Sequence, residues 1–399
     1  MESIKEIYRI GNGPSSSHTM GPRKAAEIFL GKNKSSARYR VTLYGSLAAT
    51  GRGHLTDRAI YDVFGEDKTE IVWEPGTFLP GHPNALKFEA LSGAGKVVNY
   101  HIAYSVGGGK IIDDISEDTA TRVYDLSTMK DILAWSGKTG KSFWEYVQDT
   151  EGSGIYDYLA EVWNVMKEAI KRGLNEEGVL PGPLKLRRKA ASYFVKAKNY
   201  TGALQEKTLL FSYALAVGEE NASGHKIVTA PTCGSCGVLP AVLRRMQESF
   251  DFPDQKIYRA LATAGIIGNL VKTNASISGA RVGCQGEIGT ACAMASAAVC
   301  QLLGGTPNQI EYAAEMGIEH HLGLTCDPIM GLVQVPCIER NAFAAERAMN
   351  TATYSLLSDG THLVSFDKIV ETMRVTGHDL PHIYKETSEG GLAAVYHKD

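Results

Sequence analysis

The spacing of the apolar residues changes character near residue 120, and this change limits the chain to a two-part architecture. Before that point, β-branched and aromatic residues alternate in "ARYRVTLYG", "TEIVWEP" and "KVVNYHIAYSVGGGKIID", as is typical of strands. Helical spacing appears between them in "GPRKAAEIFLG" and "LTDRAIYDVFG", where Thr56 or Asp57 is the expected N-cap. The first part is therefore predicted to be an α/β domain.

After this point the strand signals almost vanish, and helical periodicity recurs in "SGIYDYLAEVWNVMKEAIKRGL", "ALQEKTLLFSYALAVGEENA" and "IEYAAEMGIEHHLG". The second part is predicted to be all-helical. Glycine and serine cluster in "LAWSGKTGKSFWEYV", which places the boundary there. Because single cores seldom exceed about 250 to 300 residues, we predict an α+β chain with an α/β domain at 1–135 and a helical domain at 150–399.

The charge and the apolar distribution exclude several classes of partner. A formal net charge of -3 gives no electrostatic case for binding nucleic acid or an anionic membrane. The most apolar region, 261–303, is interrupted by Lys272, Arg281 and Glu287, so it is a poor membrane span. The N-terminal "MESIKEIYRIGNG" lacks the apolar core of a signal peptide, so we expect a cytoplasmic protein that binds small molecules.

Three of the seven cysteines lie in loop-like settings. An odd number of cysteines in a reducing compartment argues against a disulfide framework. Cys284, Cys326 and Cys337 each lie beside glycine, aspartate or proline, at spacings unlike the close pairs of zinc fingers. Thiolates are soft ligands that suit zinc or an iron–sulfur cluster, whereas the spacing alone favours buried structural thiols, since free cysteine is among the most buried residue types.

The other four cysteines carry weaker signals. Cys292 and Cys300 belong to "IGTACAMASAAVCQLL", a pattern typical of a tightly packed helix, so we interpret them as structural. Cys233 and Cys236 form a C-x2-C pair, a spacing that serves metal ligation or dithiol chemistry. Because a lone pair is weak evidence, packing is the favoured interpretation of these two.

Several long motifs occur in a fixed order from Gly13 to Ala393. They are "GPSSSHTMGP", "GHLTDRAI", "YSVGGG", "TAPTCGSCGVLPAVL", "TNASISGARVGCQGEIGTACAMASAA", "GLTCDPIMGLVQVPCIERNA" and "ETSEGGLA". In these motifs the chain resembles the iron–sulfur-dependent L-serine dehydratases, the bacterial L-serine ammonia-lyases. It does not resemble the pyridoxal-phosphate serine dehydratases, because no glycine-rich phosphate loop accompanies a Schiff-base lysine pattern.

The resemblance implies a cofactor and a reaction. Cys284, Cys326 and Cys337 would ligate a four-iron four-sulfur (4Fe-4S) cluster, leaving one iron open to act on the substrate as a Lewis acid. The reaction would be the dehydration of L-serine to aminoacrylate, which then yields pyruvate and ammonia. The resemblance also implies an active site between the two domains and a homodimer.

Removal of the α-proton requires a base whose pKa lies near the working pH, for which histidine is the natural choice. His18, His54 and His82 lie in loops rich in glycine, serine or proline, where catalytic groups are often mounted. By themselves they read as ordinary structural or surface histidines. The motif matches favour His54 as the base and His18 as the group that orients or binds substrate, with His82 as the third choice.

Substrate-binding groups are expected from both domains. The hydroxyls of "GPSSSHT" fall at a helix start, where they could cap the helix and also cradle a carboxylate. Arg340 suits either a bidentate grip on the substrate carboxylate or a salt bridge that holds the ligand loop, and both remain open. Ser276 and Ser278 lie beside the ligand loop. The predicted substrate-binding residues are Ser15, Ser16, Ser17, Thr19, Tyr104, Asn274 and Arg340.

The chain departs from the family pattern at two places. Many members carry a cysteine within their last few residues, whereas this chain ends "GGLAAVYHKD", where His397 or the terminal carboxylate could substitute. Members commonly carry asparagine at the position of Cys233, so threonine or cysteine could replace serine as the substrate. A rival from another class is a non-catalytic iron–sulfur or zinc protein that senses amino acids or redox state.

Overall fold

A computed structural model describes residues 1–113 and 122–396 of the chain. Its strands are β1 (Ile10–Asn12), β2 (Arg38–Tyr44), β3 (Thr69–Glu74), β4 (Ala85–Leu91), β5 (Val97–Gly107), β6 (Lys110–Asp113) and β7 (Lys226–Val228). Its helices are α1 (Gly21–Lys32), α2 (Gly45–Thr50), α3 (Thr56–Phe64), α4 (Met129–Thr139), α5 (Phe143–Glu151), α6 (Ile155–Asn175), α7 (Ala190–Ala197), α8 (Gly202–Ala222), α9 (Val238–Phe250), α10 (Asp254–Asn274), α11 (Gly279–Val282), α12 (Thr290–Leu302), α13 (Pro307–Glu319), α14 (Cys337–Leu356), α15 (Phe366–Asp379) and α16 (Gly391–Tyr396).

The first part is built on a five-stranded mixed sheet with the strand order β3-β2-β4-β5-β6. Strands β2 and β3 are parallel, and every other neighbouring pair is antiparallel. The apolar side chains of α1 and α3 pack with those of the sheet in one core, where the Phe29 ring stacks on Phe88 at 5.4 Å between ring centroids. The alternation of strand residues therefore buries one face of the sheet under these two helices.

The second part is a bundle of helices around α12, which packs against α9, α10, α13 and α14. The small residues of α12 let its neighbours approach closely, and a Cβ added at Gly317 of α13 would lie 2.6 Å from the Ala293 Cα. Cys292 and Cys300 are fully buried in this helix, which confirms that they belong to a tightly packed element.

The two parts are tied together by the first residues of the chain. Ile4 and Tyr8 are fully buried in the core of the helical part, and β1 pairs with β7, so that Ile10 lies opposite Val228. The loop that follows β1 therefore leaves from the junction of the two parts. The limits 1–135 and 150–399 remain predictions.

The predicted two-part α+β architecture is confirmed, and three details differ. Strand β4 was not predicted, and the three-residue β7 interrupts the part expected to be all-helical. The N-cap prediction for α3 was wrong, because Leu55 takes the N-cap position at φ 56°. The Thr56 hydroxyl instead donates to the His18 carbonyl at 2.6 Å, and Asp57 accepts from the Arg58 amide at 2.9 Å. Among the described helices, none is long and apolar enough to cross a membrane.

Candidate active site

The serine-rich run after β1 forms a π-helical turn, Ser16–Met20, that leads directly into α1. Ser15 caps this turn, since its hydroxyl accepts from the His18 amide at 3.0 Å. The Thr19 hydroxyl donates to the His54 carbonyl at 2.6 Å. All of the predicted hydroxyl residues are buried, namely Ser15, Ser16, Ser17 and Thr19. The run therefore caps the turn that precedes α1 and not α1 itself, whose N-cap is Met20 without a side-chain bond, and the Ser15 cap holds His18 in place.

A chain of hydrogen bonds fixes the tautomer of His18. The Ser46 hydroxyl, at the start of α2, has one hydrogen and donates it to the Glu386 carbonyl at 2.9 Å. The 3.1 Å contact between Ser46 Oγ and His18 Nε2 must then be a bond donated by Nε2–H. Nδ1 consequently carries the lone pair, which accepts from the Ser17 hydroxyl at 2.9 Å. Complete burial lowers the pKa of His18 to about 4, so its ring is neutral near pH 7.

His54 lies against His18, with ring centroids 4.5 Å apart and ring planes tilted by 60°. Its side chain is buried, and within residues 1–113 and 122–396 its Nδ1 has no hydrogen-bond partner. Burial and the neighbouring His18 hold its pKa well below the usual value. The structure therefore brings two neutral, buried imidazoles together at one point.

Glu386, in the C-terminal "ETSEGGLA" segment, joins the histidines to a cysteine loop. Its carboxylate Oε1 lies 3.4 Å from His18 Nδ1. Its backbone amide donates to the Cys326 carbonyl at 2.8 Å, and the Cys326 amide donates to the Tyr384 carbonyl at 2.8 Å. No role was predicted for this glutamate, although its segment is one of the motifs that carry the family resemblance.

The three loop cysteines are buried and lie near one carboxylate. Cys284 precedes the π-helical turn Gln285–Gly289, Cys326 follows α13, and Cys337 is the first residue of α14. Glu287 Oε2 lies 3.7 Å from the Cys284 thiol and 3.9 Å from the Cys326 thiol. The candidate ligand atoms of Cys284, Glu287 and Cys326 all lie within 4.8 Å of one another.

Cys337 belongs to the same neighbourhood. Burial, followed by the nearby Cys284, raises the pKa of its thiol. A Cβ added at Gly279 would lie 3.1 Å from the Cys326 sulfur, so this glycine leaves room beside the thiols. Gly53, next to His54, packs against Gly331, which lies between Cys326 and Cys337 in the chain. The loop that carries His54 is therefore in contact with the segment between Cys326 and Cys337.

Arg340 lies one turn after Cys337 on α14 and braces the ligand loop. Its guanidinium donates to the Thr325 carbonyl at 2.8 Å and to the Asp327 carboxylate at 3.2 Å. Asp327 also accepts from the Leu392 amide at 2.9 Å. These contacts favour the loop-holding interpretation of Arg340, and a grip on the substrate carboxylate stays a prediction.

The remaining predicted residues are not equally close to the histidines. Buried Tyr104 packs against Gly81, where an added Cβ would lie 2.7 Å from its ring. The neighbouring His82 is buried, its Nδ1 accepts from the backbone amide of Asn84 at 3.1 Å, and burial lowers its pKa to about 3. Asn274 is exposed, and its amide donates to the Ser127 carbonyl at 2.8 Å and the Leu270 carbonyl at 2.9 Å. The structure does not bring Asn274 to the candidate site.

Buried polar atoms without partners accumulate at the junction. In the described part of the chain, the side-chain amide of Asn84 and the hydroxyls of Ser105 and Ser278 are buried and have no hydrogen-bond partner. A Cβ added at Gly21 would lie 2.3 Å from Ser105 Oγ, and one added at Gly107 would lie 3.2 Å from the Ser278 Cβ. Such atoms are rare in folded proteins, and here they suit a small polar ligand. Asn84 and Ser105 were not singled out by sequence analysis.

Two further sequence observations concern the C-x2-C pair, whose loop packs against Glu287 at Gly234, and the chain's tail. Cys233 and Cys236 are fully buried, with Cys233 Sγ 3.8 Å from the Met20 sulfur, which fits packing. The suggested tail ligand His397 lies outside the described residues.

Comparison with known proteins covers nearly the whole chain. The family model for the serine dehydratase beta chain matches residues 3–65 and 61–116, and that for the serine dehydratase alpha chain matches residues 108–393. The chain is 41% identical to the L-serine dehydratase of Streptomyces coelicolor, covering 98% of both chains. It is 41% identical to L-serine dehydratase 1 of Escherichia coli, covering 98% of this chain and 99% of the relative. The L-serine dehydratase of Helicobacter pylori is 37% identical, with 98% of both chains covered.

Proposed function

The chain belongs to the L-serine dehydratase family, with the beta-chain and alpha-chain regions fused in one polypeptide, and we propose that it converts L-serine to pyruvate and ammonia. The observation that carries this proposal is the position of Glu386. Its backbone is bonded to Cys326 while its carboxylate faces His18, so the cysteine group and the histidine pair form one site.

The donor set fits a 4Fe-4S cluster. Three buried thiols converge, all are soft ligands, and Gly279 leaves space beside them. We propose Cys284, Cys326 and Cys337 as the residues that would hold the cluster. When bound, the cluster supplies a Lewis acid through the iron that lacks a cysteine ligand. Arg340 lies close to all three thiols and places a positive charge beside them.

The proposed roles of the polar residues follow from their hydrogen-bonding capacity. The Glu386 carboxylate is an acceptor that suits the N–H donors of the substrate ammonium group, and His18 Nδ1, 3.4 Å from it, would accept from the same group in place of the Ser17 hydroxyl. The Ser105 and Ser278 hydroxyls and the Asn84 amide offer unused donors for the substrate carboxylate. The hydroxyl run Ser15 to Thr19 holds His18 and His54 in place more than it offers free groups.

His54 is proposed as the base. Its ring is neutral near pH 7 and Nδ1 has no partner in the described chain, so this nitrogen is open to the α-proton of serine. Because burial holds the pKa of His54 well below the usual value, its basicity has to rise when substrate binds. Loss of that proton together with the β-hydroxyl releases water and leaves aminoacrylate. Aminoacrylate tautomerises to an imine, which hydrolyses to pyruvate and ammonia. L-threonine or L-cysteine could enter the same site, and steady-state rates on the three amino acids would separate these possibilities.

The experiment that tests the proposal separates the cofactor from the base. After anaerobic purification, we expect about four irons per chain and serine-dependent pyruvate release. Cys337→Ala should lose both, whereas the matched variant Cys292→Ala, which alters another buried cysteine, should keep its iron and activity. His54→Ala should keep its iron and lose about 10²- to 10⁴-fold in kcat.

One outcome contradicts the assignment directly. A wild-type protein that carries its full complement of iron and releases no pyruvate from L-serine would favour the sensing class of iron–sulfur protein instead. The homodimer and the cytoplasmic location are also proposals, which size-exclusion chromatography and cell fractionation would test.

A further inference from the structure

We propose that His18, His54 and Glu386 form a second metal site, separate from the cysteine group, that binds a divalent transition-metal ion of the Zn²⁺ class. Two imidazoles and one carboxylate are the ligand types that such ions prefer. All three residues are buried, and the cysteine ligands are not among them.

The distances fit a mononuclear site. The candidate ligand atoms of the three residues all lie within 4.8 Å of one another. His18 Nδ1 and Glu386 Oε1 are 3.4 Å apart. Two ligands that each lie about 2.0 to 2.1 Å from a tetrahedral Zn²⁺ are separated by about 3.3 to 3.4 Å, so this edge needs no rearrangement.

The protonation of His18 also allows a cation between His18 Nδ1 and Glu386 Oε1. Because Ser46 donates to the Glu386 carbonyl, His18 must carry its hydrogen on Nε2 and its lone pair on Nδ1. The lone pair accepts from the Ser17 hydroxyl at 2.9 Å and lies 3.4 Å from a carboxylate oxygen of Glu386. A metal ion at this position would replace the Ser17 hydroxyl at Nδ1 and would also bind the carboxylate oxygen. The alternative is a proton on Glu386 that it donates to Nδ1.

The surroundings resemble the support that metal-binding histidines usually have. The second ring nitrogen of such a histidine is normally hydrogen-bonded, which fixes the ring orientation. Ser46 does this for His18 and is itself anchored to the backbone of Glu386. On the other side, the buried His54 Nδ1 has no partner among the described residues, so one ligand position is unused.

A metal ion in this position would compete with the substrate. This consequence rests on the proposed function, because His18 and Glu386 are there assigned to the substrate ammonium group and His54 to the α-proton. Zn²⁺ should therefore raise the apparent KM for L-serine and leave the extrapolated kcat unchanged.

The test uses the cluster-loaded protein, freed of loose metal with EDTA and titrated anaerobically with zinc chloride by calorimetry. We expect one Zn²⁺ per chain with no loss of iron. Ser46→Ala should weaken the affinity about 10- to 100-fold through loss of ring support, and Glu386→Gln and His54→Ala should weaken it at least as much. His378→Ala is the matched control, because that histidine is 90% exposed beside Asp379, and its removal should change nothing.

Several results would overturn the site. The site is rejected if Glu386→Gln binds Zn²⁺ with unchanged affinity, or if iron is released in proportion to the zinc added. It is also rejected if His378→Ala no longer binds Zn²⁺ in the calorimetric titration. If Glu386→Gln fails to fold, anomalous scattering at the zinc edge from wild-type crystals decides the question. A peak between the three side chains supports the site, and an empty map rejects it. A protein that binds Zn²⁺ here but forms no pyruvate would reject the proposed reaction and leave the metal site intact.

Discussion

Asn84 is the residue at which folding and function are most clearly opposed. It is fully buried, and in the described residues neither its amide oxygen nor its amide nitrogen has a hydrogen-bond partner. A buried polar group left unpaired costs about 1 to 3 kcal/mol of stability. Proteins tolerate such costs mainly where a ligand supplies the missing partners, which fits the substrate role proposed for this side chain.

We expect Asn84→Leu to preserve or increase the free energy of unfolding by about 1 kcal/mol, since an unsatisfied polar group is removed at similar volume. The same change should raise KM for L-serine about tenfold, because one hydrogen bond to the substrate is lost. Urea unfolding and steady-state kinetics provide the two measurements.

Asn341→Leu is the control for this prediction. The Asn341 amide accepts from the Gly237 amide at 2.8 Å and donates to the Gly234 and Cys337 carbonyls at 2.8 Å each. Its loss should lower the free energy of unfolding by about 3 kcal/mol. If Asn84→Leu destabilises the protein as much, then Asn84 has a structural role.

At this scale, site residues that lie in a continuous motif can be predicted from the sequence. Site residues whose role depends on a partner far away in the chain cannot. His18, His54 and the three loop cysteines lie in recognisable runs, and the structure brings His18 next to His54 and Cys284 next to Cys326. Glu386 meets Ser46 and His18 only after folding brings together positions hundreds of residues apart. No local pattern reports such a contact, and for the same reason the exposed position of Asn274 could not be foreseen.

At the scale of elements, the C-terminal segment acts as a strap across the ligand loop. Glu386 and Ser388 both adopt positive φ angles, 61° and 58°, so the backbone turns sharply here. The Ser388 hydroxyl donates to the Pro328 carbonyl at 2.9 Å, and the Leu392 amide donates to Asp327 at 2.9 Å. The strap therefore stabilises the same loop that presents Cys326.

Gly391→Ala should detach this strap. Gly391 has φ +58°, and an added Cβ would lie 2.1 Å from the Asp327 carboxylate. The matched variant is Gly323→Ala, whose φ is +78° with nothing within 4 Å of the added Cβ. Backbone strain alone should cost each variant about 1 to 2 kcal/mol.

In urea unfolding, only Gly391→Ala should lose more free energy of unfolding than this backbone strain accounts for. It should also lose iron on anaerobic gel filtration, because Asp327 would no longer hold Arg340 and the ligand loop. Equal stability and equal iron in the two variants would show that the strap does not support the cysteine loop.

Elements with strong periodicity were predicted, and those decided by tertiary contacts were not. α1 and β2 lie where the spacing of apolar residues put them. β4 has the sequence "ALKFEAL", which is rich in helix-forming residues, yet it pairs with β2 on one side and β5 on the other. Sheet pairing overrides local propensity at such positions. The N-cap of α3 differs because the Thr56 hydroxyl bonds to the His18 carbonyl in the neighbouring turn.

At the scale of the whole molecule, burial of the junction keeps several histidines neutral. The folded state lowers the pKa of His18 to about 4, of His82 to about 3 and of His321 to about 4. Below the ordinary histidine pKa of about 6.5, these histidines bind protons in the unfolded chain but not in the folded chain. Each such histidine therefore stabilises the fold above pH 6.5, and this contribution is lost as the pH falls toward the folded pKa.

Buried glutamates act in the opposite direction. Burial raises the pKa of Glu219 to about 7 and that of Glu315 to about 8, so their protonation favours the folded state as the pH falls. The total pH dependence of stability is a sum of opposed contributions. A single histidine is consequently visible only as a difference between the wild type and a variant.

His321 offers the cleanest such difference, because its Nδ1 donates to the Gly317 carbonyl at 2.7 Å and an asparagine amide can replace that donor. We expect the stability of wild type relative to His321→Asn to fall by about 1.6 kcal/mol in total between pH 6.5 and 5, because the slope grows from about 0.7 kcal/mol per pH unit at pH 6.5 toward about 1.4 at pH 5. Urea unfolding of both proteins across this range measures the difference. His378→Ala, at an exposed position, should run parallel to wild type. If the His321→Asn curve also runs parallel to wild type, His321 takes up a proton equally readily in the folded and unfolded chain, and burial does not keep it neutral.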